Sequence, residues 1–419
     1  MKENHVRLGF KSLGKDLNMN TISAGTVAAI FGCTGPAMIV IGGATSGGLT
    51  YSQTISWLFA AYFFCGLLGI FLSLKYRMPL SGAASIAGSV LMAGALTHFS
   101  LNEAIGAYIV ANLLIFVLGL SGLIEKVMNW IPVPIVMGMI VGVMIRFATE
   151  MITSLSLSPL LAGSAILVYL LSSRFLKKLP PILPALVVSI LLAFLTSEFK
   201  VETIQSAFIL PQVEMPLFTL EAIVSISIPL ALLIICTENA QATGVLLAQG
   251  YKPPVSAMSS YGASVGFFAS FFGSHAANIA GPMTAICSAK ETGKKESRYA
   301  ASVVNGVWFA IFGLFASLVV PLVIAMPSAI VSAIAGLAML GVLLNALKTA
   351  FSNSKFQMGA FFAFIIGMSG VNFFNISAPL WAIVGSLLVS LLIEKDHFEW
   401  KSKKDERMEP IERKIKISR

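Results

Sequence analysis

The chain has 419 residues, of which 57% are hydrophobic and only 11% charged. A soluble domain averages about 25% charged residues, and so much apolar surface cannot be hidden in one soluble core, which excludes an ordinary soluble enzyme. Disordered chains are polar, so disorder is excluded too. The net charge of +9 is scattered between apolar runs and forms no basic face, which argues against nucleic-acid binding. What remains is an all-α polytopic membrane protein, each span needing about 20 apolar residues.

The first 20 residues are polar and lack the layout of a cleavable signal peptide, so 1–20 is read as a cytoplasmic N-terminal segment. Fourteen apolar segments follow, at about 21–44, 52–74, 81–97, 101–122, 132–153, 157–173, 180–197, 221–248, 255–272, 278–290, 298–320, 327–347, 356–372 and 376–394. They form one transmembrane domain, 21–394. Residues 395–419 make a basic cytoplasmic tail with some attraction to anionic lipid. With the N-terminus inside, alternate connections carry every Lys and Arg except Arg146 and Lys200, as the positive-inside rule requires. Lys126, Lys177 and Lys178 fall on the inside, and Lys200 sits in an otherwise acidic outer loop with Glu198, Glu202, Glu214 and Glu221. Both termini are therefore placed in the cytoplasm, in the plasma (inner) membrane of a prokaryote.

The third and tenth segments are short, and they resemble each other. Ser81-Gly82-Ala83-Ala84-Ser85-Ile86-Ala87-Gly88 and Ser274-His275-Ala276-Ala277-Asn278-Ile279-Ala280-Gly281 are identical at six of eight positions, at an offset of 193. Pro132-x-x-Ile135-Val136 returns as Pro327-x-x-Ile330-Val331 at an offset of 195. Two halves of seven spans follow, about 21–197 and 221–394. Because seven is odd, the second is inverted, an arrangement typical of secondary transporters with a site near mid-membrane. Each echoed stretch opens with small residues that permit extended backbone before a helix begins, and Pro282 suits a first helical turn. The expectation is two half-helices whose free N–H groups face a polar gap that an anion would fill.

Glu238 stands well inside the eighth span. A carboxylate there is costly unless paired or protonated, and one that meets water in turn from each side can take up and release a proton. It is the candidate for proton coupling or substrate contact, against a purely structural acid tying helices together. Asn239 and Gln241 add hydrogen-bonding groups beside it. Arg146 and Glu150, spaced i, i+4, read as a structural pair. His275 either lines the pocket or faces an outer vestibule. The Gly32-Cys33-Thr34-Gly35-Pro36 stretch of the first span either opens backbone groups to the site or forms a packing kink. The four cysteines, all inside apolar runs, read as small core residues. No Walker loop, hydrolase elbow or zinc motif occurs, so neither ATP drive nor enzymatic chemistry is expected, and no metal or other cofactor.

Leu101-Asn102-Glu103-Ala104-Ile105-Gly106, then Glu238-Asn239-Ala240-Gln241 with Gly250-Tyr251-Lys252-Pro253-Pro254, then the run from Gly273 through His275, Ala277, Asn278 and Ile279 to Ala285-Ile286-Cys287, resemble the benzoate:proton symporter (BenE-type) family. The resemblance covers nearly the whole chain. That family is similar to the uracil/xanthine permeases and sulfate-type carriers. It implies a seven-plus-seven inverted fold with core and gate domains, in which segments three and ten are half strand and half helix. It also implies substrate contacts near Thr34 and Gly35, Ser85 and Ile86, Glu238 and Gln241, and Asn278 and Ile279. The partners implied are a small organic anion and protons, and related folds also form homodimers. Members often carry a Trp-containing stretch in the third span, where this chain has Ser81 to Ser85 and no aromatic residue. The expected function is proton-coupled symport of benzoate or a related small aromatic carboxylate. The alternatives are a nucleobase symporter on the same fold and, in another class, an anion channel.

Overall fold

In the computed structural model, the described residues are 5–124, 132–176, 180–199, 208–352, 354–373 and 376–398. Lys2, Lys126, Lys177, Lys178, Lys200, Glu202 and the tail beyond 398 lie outside them.

Helix α1 (His5–Asp16) is followed by α2 (Met19–Ser46) and α3 (Tyr51–Tyr76), then by strand β1 (Gly82–Ala83), α4 (Ile86–Ala95) and α5 (Leu101–Ser121). Next come α6 (Val133–Leu157), α7 (Pro159–Phe175), α8 (Ile182–Leu195) and α9 (Leu220–Leu247). The last group is α10 (Val255–Ser270), strand β2 (Asn278–Ile279), α11 (Gly281–Ser288), α12 (Tyr299–Leu314), α13 (Ala316–Ile324), α14 (Ser328–Phe351), α15 (Gln357–Ser369) and α16 (Ala378–Ile393).

A helix, or a strand followed by a helix, lies at each apolar segment of the sequence. Among the described residues, six helices are long and apolar enough to cross a membrane: α2, α3, α5, α6, α9 and α14. A seventh crossing is made if Lys295–Leu314 and Ala316–Ile324, bent by 67°, count as one.

Local sequence explains where several spans begin. Asn18 and Thr21, Thr50 and Gln53, and Ser100 and Glu103 each form a reciprocal capping box at the starts of α2, α3 and α5. Glycine explains how closely the helices cross. A Cβ on Gly66 would meet the Gly306 carbonyl oxygen at 2.5 Å, so α3 and α12 touch backbone to backbone. Helix α12 lies on α3 and α2, and α10 on α5; α6 lies on α14 and α15, α15 on α16, and α7 on α8.

Two features were not expected from the sequence. The polar N-terminus is helical: α1 lies on α3, Tyr299 Oη donates to Asp16 Oδ2 at 2.8 Å, and Arg77 pairs with Asp16 at 3.5 Å. Residues 208–219, ahead of α9, carry no regular secondary structure and run as a strap. Its backbone N–H groups donate from Ile209 to Ser317 Oγ, Gln212 to Ser56 Oγ, Glu214 to the Phe271 carbonyl and Leu217 to the Asn102 carbonyl. The strap thereby ties α3, α5, α10 and α13 together.

Candidate functional site

The site begins with the two short strands. β1 and β2 pair antiparallel, Gly82 opposite Ile279 and Ala83 opposite Asn278, and the Ala280 N–H extends the ladder to the Ser81 carbonyl at 2.9 Å. Glycine makes this possible. A Cβ on Gly69 would lie 2.6 Å from the Gly82 nitrogen, and one on Gly82 would strike the Cys65 carbonyl, so β1 is pressed directly onto the α3 backbone. α4 follows β1 and α11 follows β2, so both helices begin beside this crossing. Ser85 caps α4, its Oγ accepting the Gly88 N–H at 2.9 Å. Pro282 occupies the first turn of α11, where a missing N–H costs nothing.

The third wall is α9, which is not a regular α-helix. Ile223–Ser227 and Ile234–Asn239 are π-helical, and the second stretch carries Glu238. Such wide turns are commonly found at functional sites, where they re-aim a side chain. Here Glu238 Oε1 accepts the Ser85 hydroxyl at 2.6 Å, and the residue is only 9% exposed.

These elements enclose a cavity of about 260 Å³. Ala84, Ile86 and Ala87 line it from β1–α4, Cys236, Thr237, Glu238, Ala240 and Gln241 from α9, and Ala280, Pro282 and Met283 from β2–α11. Val133, Met137 and Ile140 of α6 and Asn345, Ala346 and Thr349 of α14 close the far side. No Lys, Arg or His is among these lining residues. The positive potential available to a bound anion is therefore that of the two half-helix starts. No aromatic side chain lines it either; the apolar wall is aliphatic and thioether. Among the described residues, no three His, Cys, Asp or Glu come together as metal ligands would.

Of the residues singled out by sequence, Ile86, Glu238 and Gln241 line this cavity, and Ser85 reaches it through its bond to Glu238. The others are not among its lining residues. Thr34 Oγ1 donates back to the Ile30 carbonyl at 2.9 Å, and Gly35 is packed against Ala338 of α14. Pro36 leaves α2 continuous, and the Gly32 carbonyl, which would have bonded its missing N–H, accepts Tyr62 Oη at 2.7 Å. Asn239 Nδ2 donates to Ser259 Oγ of α10 at 2.8 Å, behind the cavity. Asn278 and Ile279 are buried in β2. His275 is fully buried and lines neither this cavity nor the vestibule described next, because its ring bonds the Ser85 carbonyl. The reading of the sequence passed over Thr237, Asn345 and Thr349. Asn345 and Thr349 carried a signal, two polar residues spaced i, i+4 on one face of an apolar helix.

A second cavity of about 770 Å³ opens at the other end of α6. Arg146 and Glu150, joined at 2.8 Å and both well exposed, lie in this vestibule and not beside Glu238. Between the two cavities is an apolar seal with no room for a water molecule, formed by Ala87, Leu91, Met139, Ile140, Val143, Met144 and Leu233. Ala87 and Ile140 face the Glu238 cavity, and Leu91 and Val143 face the vestibule.

A profile of the family described as benzoate membrane transport protein matches residues 15–392. The benzoate membrane transport protein of Acinetobacter baylyi is 28% identical over 386 residues, covering 92% of this chain and 98% of that protein. The inner membrane protein YdcO of Escherichia coli is 28% identical over 383 residues, covering 90% and 98%. Among solved structures, SLC26A9 is similar with a TM-score of 0.62 at 15% identity; 90% of this chain is covered, but only 66% of that one, just under two thirds. The transmembrane domain of the cyanobacterial bicarbonate transporter BicA is similar with a TM-score of 0.57 at 14% identity, covering 89% and 96%. At such identities these two likenesses establish a shared fold.

Proposed function

Since this chain belongs to the benzoate membrane transport family, a family of membrane transporters and not of enzymes, we propose that it carries benzoate or a related small aromatic carboxylate together with a proton. The setting we assign is a bacterial inner membrane, with fourteen segments in two inverted halves and both termini in the cytoplasm. The observation that carries the reading is the 2.6 Å bond between Ser85 and Glu238, made where a half-helix N-terminus and a buried acid meet in a cavity without a cationic side chain.

In this reading the cargo carboxylate docks on the free N–H groups at the starts of α4 and α11. Its ring rests on Ile86, Ile140, Met137 and Met283; thioether sulfur makes favourable contacts with aromatic rings, which supplies what an aromatic partner would. A carboxylate beside a charged Glu238 is repelled, and a protonated Glu238 removes the repulsion. Cargo and proton therefore bind together. The core is α2–α5 with α9–α13, and the gate is α6–α8 with α14–α16. Sliding one group against the other opens the seal on one side while closing the cavity on the other. This favours a carrier over a channel, which needs no intramembrane acid.

Uptake into proteoliposomes tests this. Wild-type protein accumulates labelled benzoate when an inward proton gradient is imposed. Glu238→Gln loses gradient-driven accumulation while keeping exchange of internal for external benzoate. Accumulation at the wild-type level in Glu238→Gln would remove this residue from coupling. Glu238 and Gln241 side by side also suit the paired acceptors and donors of a nucleobase, so a thermal-shift panel of benzoate, uracil and sulfate separates the cargo classes.

A further inference from the structure

Directly beneath the Glu238 site lies a histidine that touches neither cavity. His275 is fully buried, and its Nε2 is 3.0 Å from the Ser85 main-chain oxygen. We propose that His275 is a positioning residue for the cargo site: it holds the Ser85 carbonyl and thereby fixes the first turn of α4, whose N–H groups and Ser85 hydroxyl serve cargo and Glu238. The proposal rests on the cargo reading above.

A carbonyl oxygen only accepts, so Nε2 carries the proton. The ring has almost no freedom to make this bond otherwise. Trp57 of α3 stands edge-on to it with ring centroids 6.3 Å apart, and Tyr108 of α5 does so at 6.2 Å. Asn112 Nδ2 donates to the His275 carbonyl at 3.2 Å, which pins its backbone. Gly88 leaves the space the ring fills, since a Cβ there would come within 2.6 Å of Nε2. Nδ1 has no protein partner among the described residues, so nothing competes for the opposite tautomer.

Ser85 is the point where this anchoring matters. Its carbonyl also accepts the Ser89 N–H at 2.9 Å and Ser89 Oγ at 3.0 Å, and its hydroxyl joins the helix cap to Glu238. The carbonyl of residue 85 and the N–H of Ile86 belong to one planar peptide, so holding one aims the other. Without His275 that plane is held by Ser89 alone, from within α4 itself, so the first turn of α4 loses its tie to the second half of the chain and the aim of the Ile86 N–H and of the Ser85 hydroxyl is less constrained. The acid and the ring that supports its partner come from α9 and from the segment leading into β2. The second half of the chain thus sets the geometry of the first half's half-helix.

Three variants and one spectrum decide the matter. His275→Gln keeps a donor near the Nε2 position, His275→Leu keeps volume without a donor, and Gly88→Ala displaces an intact His275. For benzoate uptake in proteoliposomes, losing one buried hydrogen bond of this kind raises KM by about tenfold, so His275→Leu and Gly88→Ala should rise by that much with kcat little changed. His275→Gln should stay near the wild-type KM. In protein labelled with ¹⁵N-histidine, the resonance lost in His275→Leu should report a proton on Nε2. A wild-type KM in both His275→Leu and Gly88→Ala, a His275→Gln variant as impaired as His275→Leu, or a proton on Nδ1, overturns the proposal. If His275→Leu does not fold, Gly88→Ala carries the KM comparison and His275→Gln identifies the resonance. If wild-type protein takes up no benzoate, the cargo reading falls, and the nitrogen spectrum alone decides for or against His275.

Discussion

Ser85 joins more of the site than any other side chain. One hydroxyl both caps α4 and donates to Glu238, with bonds of 2.9 and 2.6 Å. Ser85→Ala removes both. Loss of an N-cap costs about 1 kcal/mol, and the buried acid left without its partner adds to that. The expected result is a lowered melting temperature together with a raised KM for benzoate, read by thermal shift and uptake on the same preparation. A Tm change without any change in KM would confine Ser85 to a structural role. Gly82 is a contrasting case. Any side chain there drives into the Cys65 carbonyl, so Gly82→Ala should fail to yield a monodisperse protein, as size-exclusion chromatography in detergent would show.

Among the helices, α15 is held from an unexpected direction. Glu394, one residue beyond α16, accepts the N–H groups of Met358 and Gly359 at 2.9 and 3.0 Å and the Ser390 hydroxyl at 2.8 Å. The acid satisfies the first turn of a helix some 35 residues away and complements its dipole. Glu394→Gln halves the acceptors and should cost about 1 kcal/mol, visible as a lower melting temperature with KM unchanged.

The strand–helix units were visible because small residues at 81–88 and 274–281 repeat, and Glu238 was visible because an acid interrupts an apolar run. Where Asn239 points was not legible, because side-chain direction depends on helical phase and the π-helical stretch shifts that phase, so that its amide meets Ser259 of α10. Thr34 looked polar and available, yet a threonine in an apolar helix commonly turns back to its own carbonyls. His275 could not be placed from sequence, since whether a ring faces a cavity or supports its wall is decided by Trp57, Tyr108 and Gly88, far away in the chain. α1 was missed because a search for apolar runs passes over a short, polar helix whose only signal is amphipathic periodicity; it docks through the Tyr299–Asp16 bond.

At the scale of the whole molecule, and among the described residues, cavities of about 260 and 770 Å³ are set end to end along α6 with an apolar layer between them. The layer between them is apolar and has no room for a water molecule, so it should resist the passage of water and protons. Replacing Leu91 and Val143 together with alanine should leave a gap there and raise the passive proton leak of substrate-free liposomes, measured with an internal pH dye. A leak equal to that of wild-type liposomes would show that closure depends on other contacts. The thinness of this seal has an electrical consequence. Where solvent enters from both faces, the membrane voltage is not spread over the full hydrocarbon thickness but falls mainly across the dry layer, about 2.3 kcal/mol for each unit charge per 100 mV. In the proposed carrier, a charge crossing between Leu91 and Ile140 would therefore meet most of the potential within the span of a few side chains.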